Sequence, residues 1–156
     1  MLGAIEAGGT KFVCAVSDDE LNIIEKVTIP TTTPEETFEK TFEFFDRFDL
    51  KAIGIGSFGP IDTNKNSKTY GYITSTPKLQ WQHTEFLGVF KERYNVPVGW
   101  NTDVNAAALG EVTFGAAKEK DSCVYITVGT GIGGGAYING EPLTGISHPE
   151  MGHFYP

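Results

Sequence analysis

The chain has 156 residues, 40% of them hydrophobic and eleven of them phenylalanine, which suffices for a buried core within one domain's size and argues against a disordered segment. Twelve basic against twenty acidic residues leave a formal charge of −8, so nucleic acid is not an expected partner through bulk electrostatics, although backbone N–H groups bind phosphate whatever the net charge. Cys14 and Cys123 show no framework or metal spacing and read as reduced core thiols of a cytosolic protein; the opening "MLGAIEAGG" lacks a signal peptide's basic region, and no apolar run is long enough to span a bilayer.

In chain order, "LGAIEA" and "KFVCAVSD" flank a glycine turn and "NIIEKVTIP" adds a third strand, together an antiparallel meander. Thr33-Pro34-Glu35-Glu36 predicts a helix start, with Thr33 as cap, Pro34 in the first helical position and Glu36 closing a capping box. Phe38, Phe42 and Phe45 recur at helical spacing and form that helix's apolar face. "KAIGIGSFGPID" reads as a buried strand entering a Gly-Pro loop, and residues 63–82 as a long polar loop. "TEFLGVFKERY" predicts a second amphipathic helix, "VPVGWNTD" a strand, and "VNAAALGEVTFGAA" a helix of small residues suited to close packing. "SCVYITVGTGIGGGAYINGEPL" repeats the opening design of strand, glycine-rich turn, strand. A meander followed by strand–helix alternation points to a layered α/β or α+β fold.

The chemistry concentrates in a few stretches. In "IEAGGTKF" the Gly8-Gly9 pair lets the backbone approach a phosphate, Thr10 adds a hydroxyl and Lys11 a positive charge, while Glu6 suits a hydrated Mg²⁺. The bland alternative is a hairpin with a solvated Lys11. The stretch Gly129-Thr130-Gly131-Ile132-Gly133-Gly134-Gly135 is expensive in a strand pair, each glycine costing up to about 1 kcal/mol relative to alanine; a phosphate-holding loop explains that expense. Asp103 falls where a strand hands over to a helix, and is either a general base or that helix's cap. Asn101 and Asn105 are placed to orient an acceptor by hydrogen bonds. His148 and His153 flank Glu150, a pair too sparse for a zinc site, and His83 reads as solvated.

Taken in order, "IEAGGTKF", "GSFGPID", "WNTDVNAAALGE", "TVGTGIGGG" and "HPEMGHF" resemble the ROK (repressor, open reading frame, kinase) family of sugar kinases, above all its bacterial fructokinase branch. The resemblance implies the α/β actin-like ATPase (ribonuclease H-like) fold, with a first domain over residues 1–118 and the start of a second over 119–156. It implies Gly8, Gly9, Thr10 and Lys11 as the first ATP-phosphate loop, and Gly129, Thr130, Gly131 and Gly133 as the second. Asp103 becomes the catalytic base, with Asn101, Gly59, Pro60 and Glu150 around the sugar. His153 matches a ligand of the family's structural Zn²⁺, and Glu6, where many members carry aspartate, contacts Mg²⁺ through water. The family's cysteine-rich zinc loop, adenosine-binding half and closing helix follow the "E-x-G-H" signature, so the remaining zinc ligands and the adenine pocket are expected outside this chain.

The implied activity is phosphorylation of a hexose by Mg-ATP, fructose to fructose 6-phosphate first, in a cytoplasmic homodimer with no nucleic-acid or membrane partner. Glucose, mannose or N-acetylhexosamine specificity is the alternative within the kinase class. A non-catalytic sugar sensor is the alternative outside it. A sugar-responsive repressor is disfavoured by the acidic balance and the early first turn.

Overall fold

The computed structural model describes residues 1–129, 131–145 and 148–153. Three antiparallel strands open the chain: β1 (Leu2–Ala7), β2 (Lys11–Ser17) and β3 (Ile23–Pro30). Helix α1 (Pro34–Phe45), β4 (Ala52–Ser57), the short pair β5 (Tyr72–Ile73) and β6 (Thr84–Glu85), helix α2 (Leu87–Tyr94) and β7 (Val98–Thr102) follow. Helix α3 (Asp103–Phe114) then leads to β8 (Ser122–Val128), β9 (Ile132–Ile138) and β10 (Glu141–Pro142). The main sheet has five strands in the order β3-β2-β1-β4-β7, with β1, β4 and β7 parallel; β10-β9-β8 form a separate antiparallel sheet.

The pleat gives the main sheet two unlike faces. On one, Ile5, Ala7, Phe12, Cys14, Ile53, Ile55 and Trp100 are buried beneath α1 and α2. On the other, β1 and β4 offer Ala4, Glu6, Gly54 and Gly56, and this is the side where α3 lies against Gly56. The first face is filled by aromatic rings: Phe38 meets Phe86 at 4.8 Å between centroids and Trp81 edge-on at 5.4 Å, while Phe12 stacks on Phe86 at 5.7 Å. Burial there pushes the Cys14 thiol up to about 12, which makes it a packing group and not a nucleophile. Cys14 and Cys123 are both free, Cys14 buried and Cys123 only half-buried.

Helix α1 starts as the sequence suggests, with Thr33 Oγ1 accepting from the Glu36 N–H at 3.3 Å and Pro34 following. Its inward stripe is wider than three phenylalanines: Thr37, Phe38, Thr41, Phe44 and Phe45 are buried, and Phe42 is only half-buried. Helix α2 is shorter than "TEFLGVFKERY", because Thr84 and Glu85 pair with Ile73 and Tyr72 instead. It stops at Asn95, which adopts a left-handed conformation.

Residues 63–82 differ most from the expected polar loop. They carry β5 and a 3₁₀ turn over Leu79–Trp81, which drives Trp81 into the core with no exposed surface. The indole N–H donates to the Thr32 carbonyl at 2.8 Å, so the polar edge of the ring is satisfied as its body is buried. Polar spacing hid a single aromatic anchor. Truncating it with Trp81→Ala is expected to lower the unfolding free energy by about 3–5 kcal/mol. Leu79→Ala, at a residue 76% exposed, is expected to change it by less than about 0.5 kcal/mol in the same urea titration of the full-length protein.

Candidate functional site

The parallel strands β1, β4 and β7 end along one edge, at Ala7, Ser57 and Thr102, the side of an open α/β sheet where ligands bind. Across it, Glu6, Gly56 and Asn101 stand in register. The central glycine leaves an open lane between a carboxylate and an amide. Gly56 also admits α3: a Cβ there would lie 2.7 Å from the Ala106 Cβ and 3.4 Å from the Asp103 Cα.

The helix start shows which residue caps it. Thr102 is the cap, its Oγ1 accepting from the Asn105 N–H at 3.1 Å. Asp103 occupies the first helical position, where its Oδ1 accepts from the Val104 N–H at 2.9 Å. Burial pushes the Asp103 carboxyl up, the backbone N–H groups of Val104 and of Asp103 itself pull it partly back, and the charges of Glu6 and Glu150 add to the upward shift. A carboxylate spared from capping, desolvated and facing two like charges has the electrostatics of a proton acceptor.

Asn101 and Asn105 have separate jobs. The Asn105 side chain, 1% exposed, donates to Asn101 Oδ1 at 2.9 Å and to the Leu143 carbonyl at 2.8 Å, and accepts from the Ala136 N–H at 3.1 Å. It is committed to joining β7, α3, β9 and the 143 segment, and both of its N–H donors are spent there. Asn101 Oδ1 is taken by Asn105 and by the Thr102 N–H, and its amide NH₂ has no partner among the described residues.

The two glycine turns differ in build. Gly8 N–H donates to the Lys11 carbonyl at 2.9 Å, and Thr31 braces the turn from behind through its Oγ1 to the Gly8 carbonyl at 2.8 Å. The Gly9 and Thr10 N–H groups have no partner among the described residues, and the space where a Gly9 Cβ would stand is open. That is a cradle of the kind a phosphate fits. Lys11 is exposed at the head of β2.

In the second stretch only Gly129 and Gly131 flank the turn, both with open space around them; Thr130 lies outside the described residues. Gly133, Gly134 and Gly135 sit inside β9, and packing accounts for them. A Cβ on Gly135 would overlap the Val104 carbonyl, and one on Gly134 would press Met151 at 3.1 Å. The glycine run is therefore part turn and part contact surface for α3.

Glu150 lies between two imidazoles, its Oε2 3.6 Å from His148 Nε2 and its Oε1 3.7 Å from His153 Nδ1. Pro60, His148 and Glu150 border a cavity of about 550 Å³ whose other wall is the loop with Asp62, Asn64 and Ser67. Glu6, Asn101 and Asp103 border a neighbouring space of about 600 Å³. Gly59 meets the His148 ring directly. Glu6, Gly59, Pro60, Asn101, Asp103 and Glu150 are thus gathered around one edge, while Gly8–Lys11 and Gly129–Gly131 line neither space. Thr102 as the cap and Trp100, whose Nε1 donates to the Asp62 carbonyl at 3.0 Å, were not singled out from sequence. The Thr-Asp-x-Asn order within "NTDVN" holds the signal for the first, since threonine is itself a preferred capping residue and stands three positions before Asn105.

Comparison with known proteins places this geometry in a family. The sequence profile of the ROK family matches residues 2–156. A protein named putative fructokinase from Bacillus subtilis (strain 168) is 60% identical over 155 residues, covering 99% of this chain and 52% of its own length. A fructokinase from Streptococcus mutans is 54% identical, covering 99% of this chain and 53% of its own. Among solved structures, a ROK family glucokinase from Streptomyces griseus in complex with glucose and AMPPNP is 31% identical with a TM-score of 0.79, covering 97% of this chain and 49% of its own. The chain spans about half the length of the curated relatives it matches. The architecture is that of the ROK sugar kinases, the actin-like ATPase fold.

Asn105→Ala would strand the Ala136 N–H and the Leu143 carbonyl. We expect it to lower the unfolding free energy by about 2–4 kcal/mol, read by urea titration of the full-length protein.

Proposed function

Since the chain belongs to the ROK family, we propose that it is the sugar-handling half of an ATP-dependent hexose kinase with fructose as the preferred acceptor. The observation that carries this reading is the Asp103 carboxylate: Thr102 takes the capping role, and burial together with Glu6 and Glu150 raises the proton affinity of Asp103. The fructokinase names of its relatives support the choice of fructose over glucose, mannose or an N-acetylhexosamine.

Asp103 accepts the proton of the attacking sugar hydroxyl, and the free NH₂ of Asn101 holds that hydroxyl beside it. Gly59, Pro60 and Glu150 border the sugar. The N–H groups of Gly9 and Thr10, unpartnered among the described residues, fit a polyphosphate with Lys11 nearby, and Gly129, Thr130 and Gly131 are proposed as its second loop, with Gly133 following inside β9 as a packing position. ATP supplies the γ-phosphoryl group, with Mg²⁺ neutralising its charge. Glu6, exposed on β1 at the same edge as Asp103, suits a water-mediated Mg²⁺ contact.

A lone imidazole does not hold a structural zinc, so His153 is proposed as one Zn²⁺ ligand with the others supplied from outside residues 1–156. The same proposal includes a domain boundary between 118 and 119, just ahead of β8, a homodimer and a cytoplasmic location. Among the described residues no helix is long and apolar enough to cross a membrane.

Because its folded-state pKa is raised, Asp103 favours folding most below its unfolded pKa; that contribution is lost as pH rises through the folded value, so at neutral pH its charge opposes folding. Asp103→Asn in the full-length protein is therefore expected to raise the melting temperature by about 1 °C or more at pH 7. The same variant is expected to reduce fructose-dependent ADP formation by at least about 100-fold. Undiminished turnover would overturn the assignment of the base.

A further inference from the structure

We propose that His148 is a positioning residue of the sugar pocket: its imidazole ties the Gly59-Pro60-Ile61 loop to Glu150 and so fixes two walls of one cavity. This rests on the hexose-kinase reading and adds to it a residue that reading leaves unused.

Three contacts carry the inference. The ring lies directly on Gly59, with Nδ1 and Nε2 each 2.9 Å from where a Cβ would be, so only glycine leaves room for it. Nδ1 accepts from the Ile61 N–H at 3.4 Å, across 87 residues of sequence. Accepting there leaves the proton of the neutral ring on Nε2, which faces Glu150 Oε2 at 3.6 Å. The loop end of β4 is thus hydrogen-bonded to one edge of the ring, and the glutamate lies 3.6 Å from the other. Burial favours the neutral imidazole, against the opposing pull of the Glu150 charge, which keeps Nδ1 free to accept.

The consequence is geometric. Pro60 lies between the two residues that touch the ring, and its carbonyl accepts from both the N–H and the Oγ1 of Thr74, at 2.8 and 3.0 Å. The loop is therefore anchored on the Thr74 side by the backbone and on the Glu150 side by His148. Without the imidazole, Glu150 loses its link to that loop and the cavity between them loses a fixed width. A hexose is held by directional hydrogen bonds, so a pocket of variable width weakens sugar binding before it affects phosphoryl transfer.

The test uses the full-length protein and four variants: His148→Ala, His148→Asn, His148→Gln and Gly59→Ala. Fructose affinity is read by titration calorimetry, with KM for fructose, KM for ATP and kcat measured alongside. His148→Ala is expected to weaken fructose binding and raise its KM about tenfold, with kcat changed less than about threefold and the KM for ATP unchanged. Gly59→Ala, which displaces the ring while leaving the histidine in place, is expected to weaken fructose binding to a similar degree. His148→Asn keeps an acceptor for the Ile61 N–H and is expected to recover most of the affinity; His148→Gln reaches toward Glu150 and is expected to recover less.

A fructose affinity within twofold of the parent in both His148→Ala and Gly59→Ala would overturn the proposal and leave the kinase reading standing. An equal loss in kcat, fructose and ATP parameters, without rescue by asparagine, would reduce His148 to a general folding residue and also overturn it. If the parent binds a hexose but transfers no phosphoryl group, the activity reading falls while the affinities still decide the role of His148. A parent that binds no hexose ends both.

Discussion

The close approach of α3 to the two sheets is the constraint on which the rest of this molecule depends. Gly56 on one side and Gly135 on the other remove the side chains that would hold the helix away, and Ala106 and the Val104 backbone fill the space. Asn105 then fastens the arrangement with hydrogen bonds to β9, to the 143 segment and to Asn101. A small-residue contact is weakly specific by itself, since small side chains slide. A buried amide with fixed donor and acceptor directions supplies the missing register.

That packing sets the electrostatics of the candidate base. Asp103 is the first residue of α3, so whatever fixes the helix also fixes the depth of its carboxylate and its distance from Glu6 and Glu150. An N-terminal helix position ordinarily favours a carboxylate's charge through the dipole. Here burial outweighs it and the proton affinity rises. Thr102 makes this arrangement available by satisfying the helix end with a neutral hydroxyl. Capping falls to Thr102, which leaves the adjacent Asp103 carboxylate free of that role.

The opposite face of the main sheet provides the rigidity against which this site is held. Rings from α1, α2 and the 3₁₀ turn interlock over β1, β2 and β4, and Trp100 reaches from that side to the Asp62 carbonyl at the mouth of the site. The loop over residues 62–70 is consequently tied to β7 through an indole. It is further closed by Thr69 Oγ1 donating to Asp62 Oδ2 at 2.7 Å and the Asn64 N–H donating to Asp62 Oδ1 at 2.9 Å. Polar sequence in this loop serves internal turns as much as it serves solvent.

The sequence by itself determined the meander, the start of α1, the strand–loop–strand order around "GSFGPID" and "WNTD", and the family resemblance, because each is written in near neighbours: capping spacings, alternation and glycine pairs. It located Asp103 at a strand-to-helix junction but left base and cap unresolved, since aspartate suits both. Only the tertiary structure decided that Thr102 takes the cap, that Asn105 is a buried fastener, and that Gly133–Gly135 serve contact with α3 and the Met151 segment. It also turned the expected loop at 63–82 into a platform for Trp81 and set His148 against Gly59 and Ile61. These facts share one physical cause. They depend on which distant groups meet across packed surfaces, and a residue's local spacing carries no record of the partner that will bury it or take its hydrogen bond.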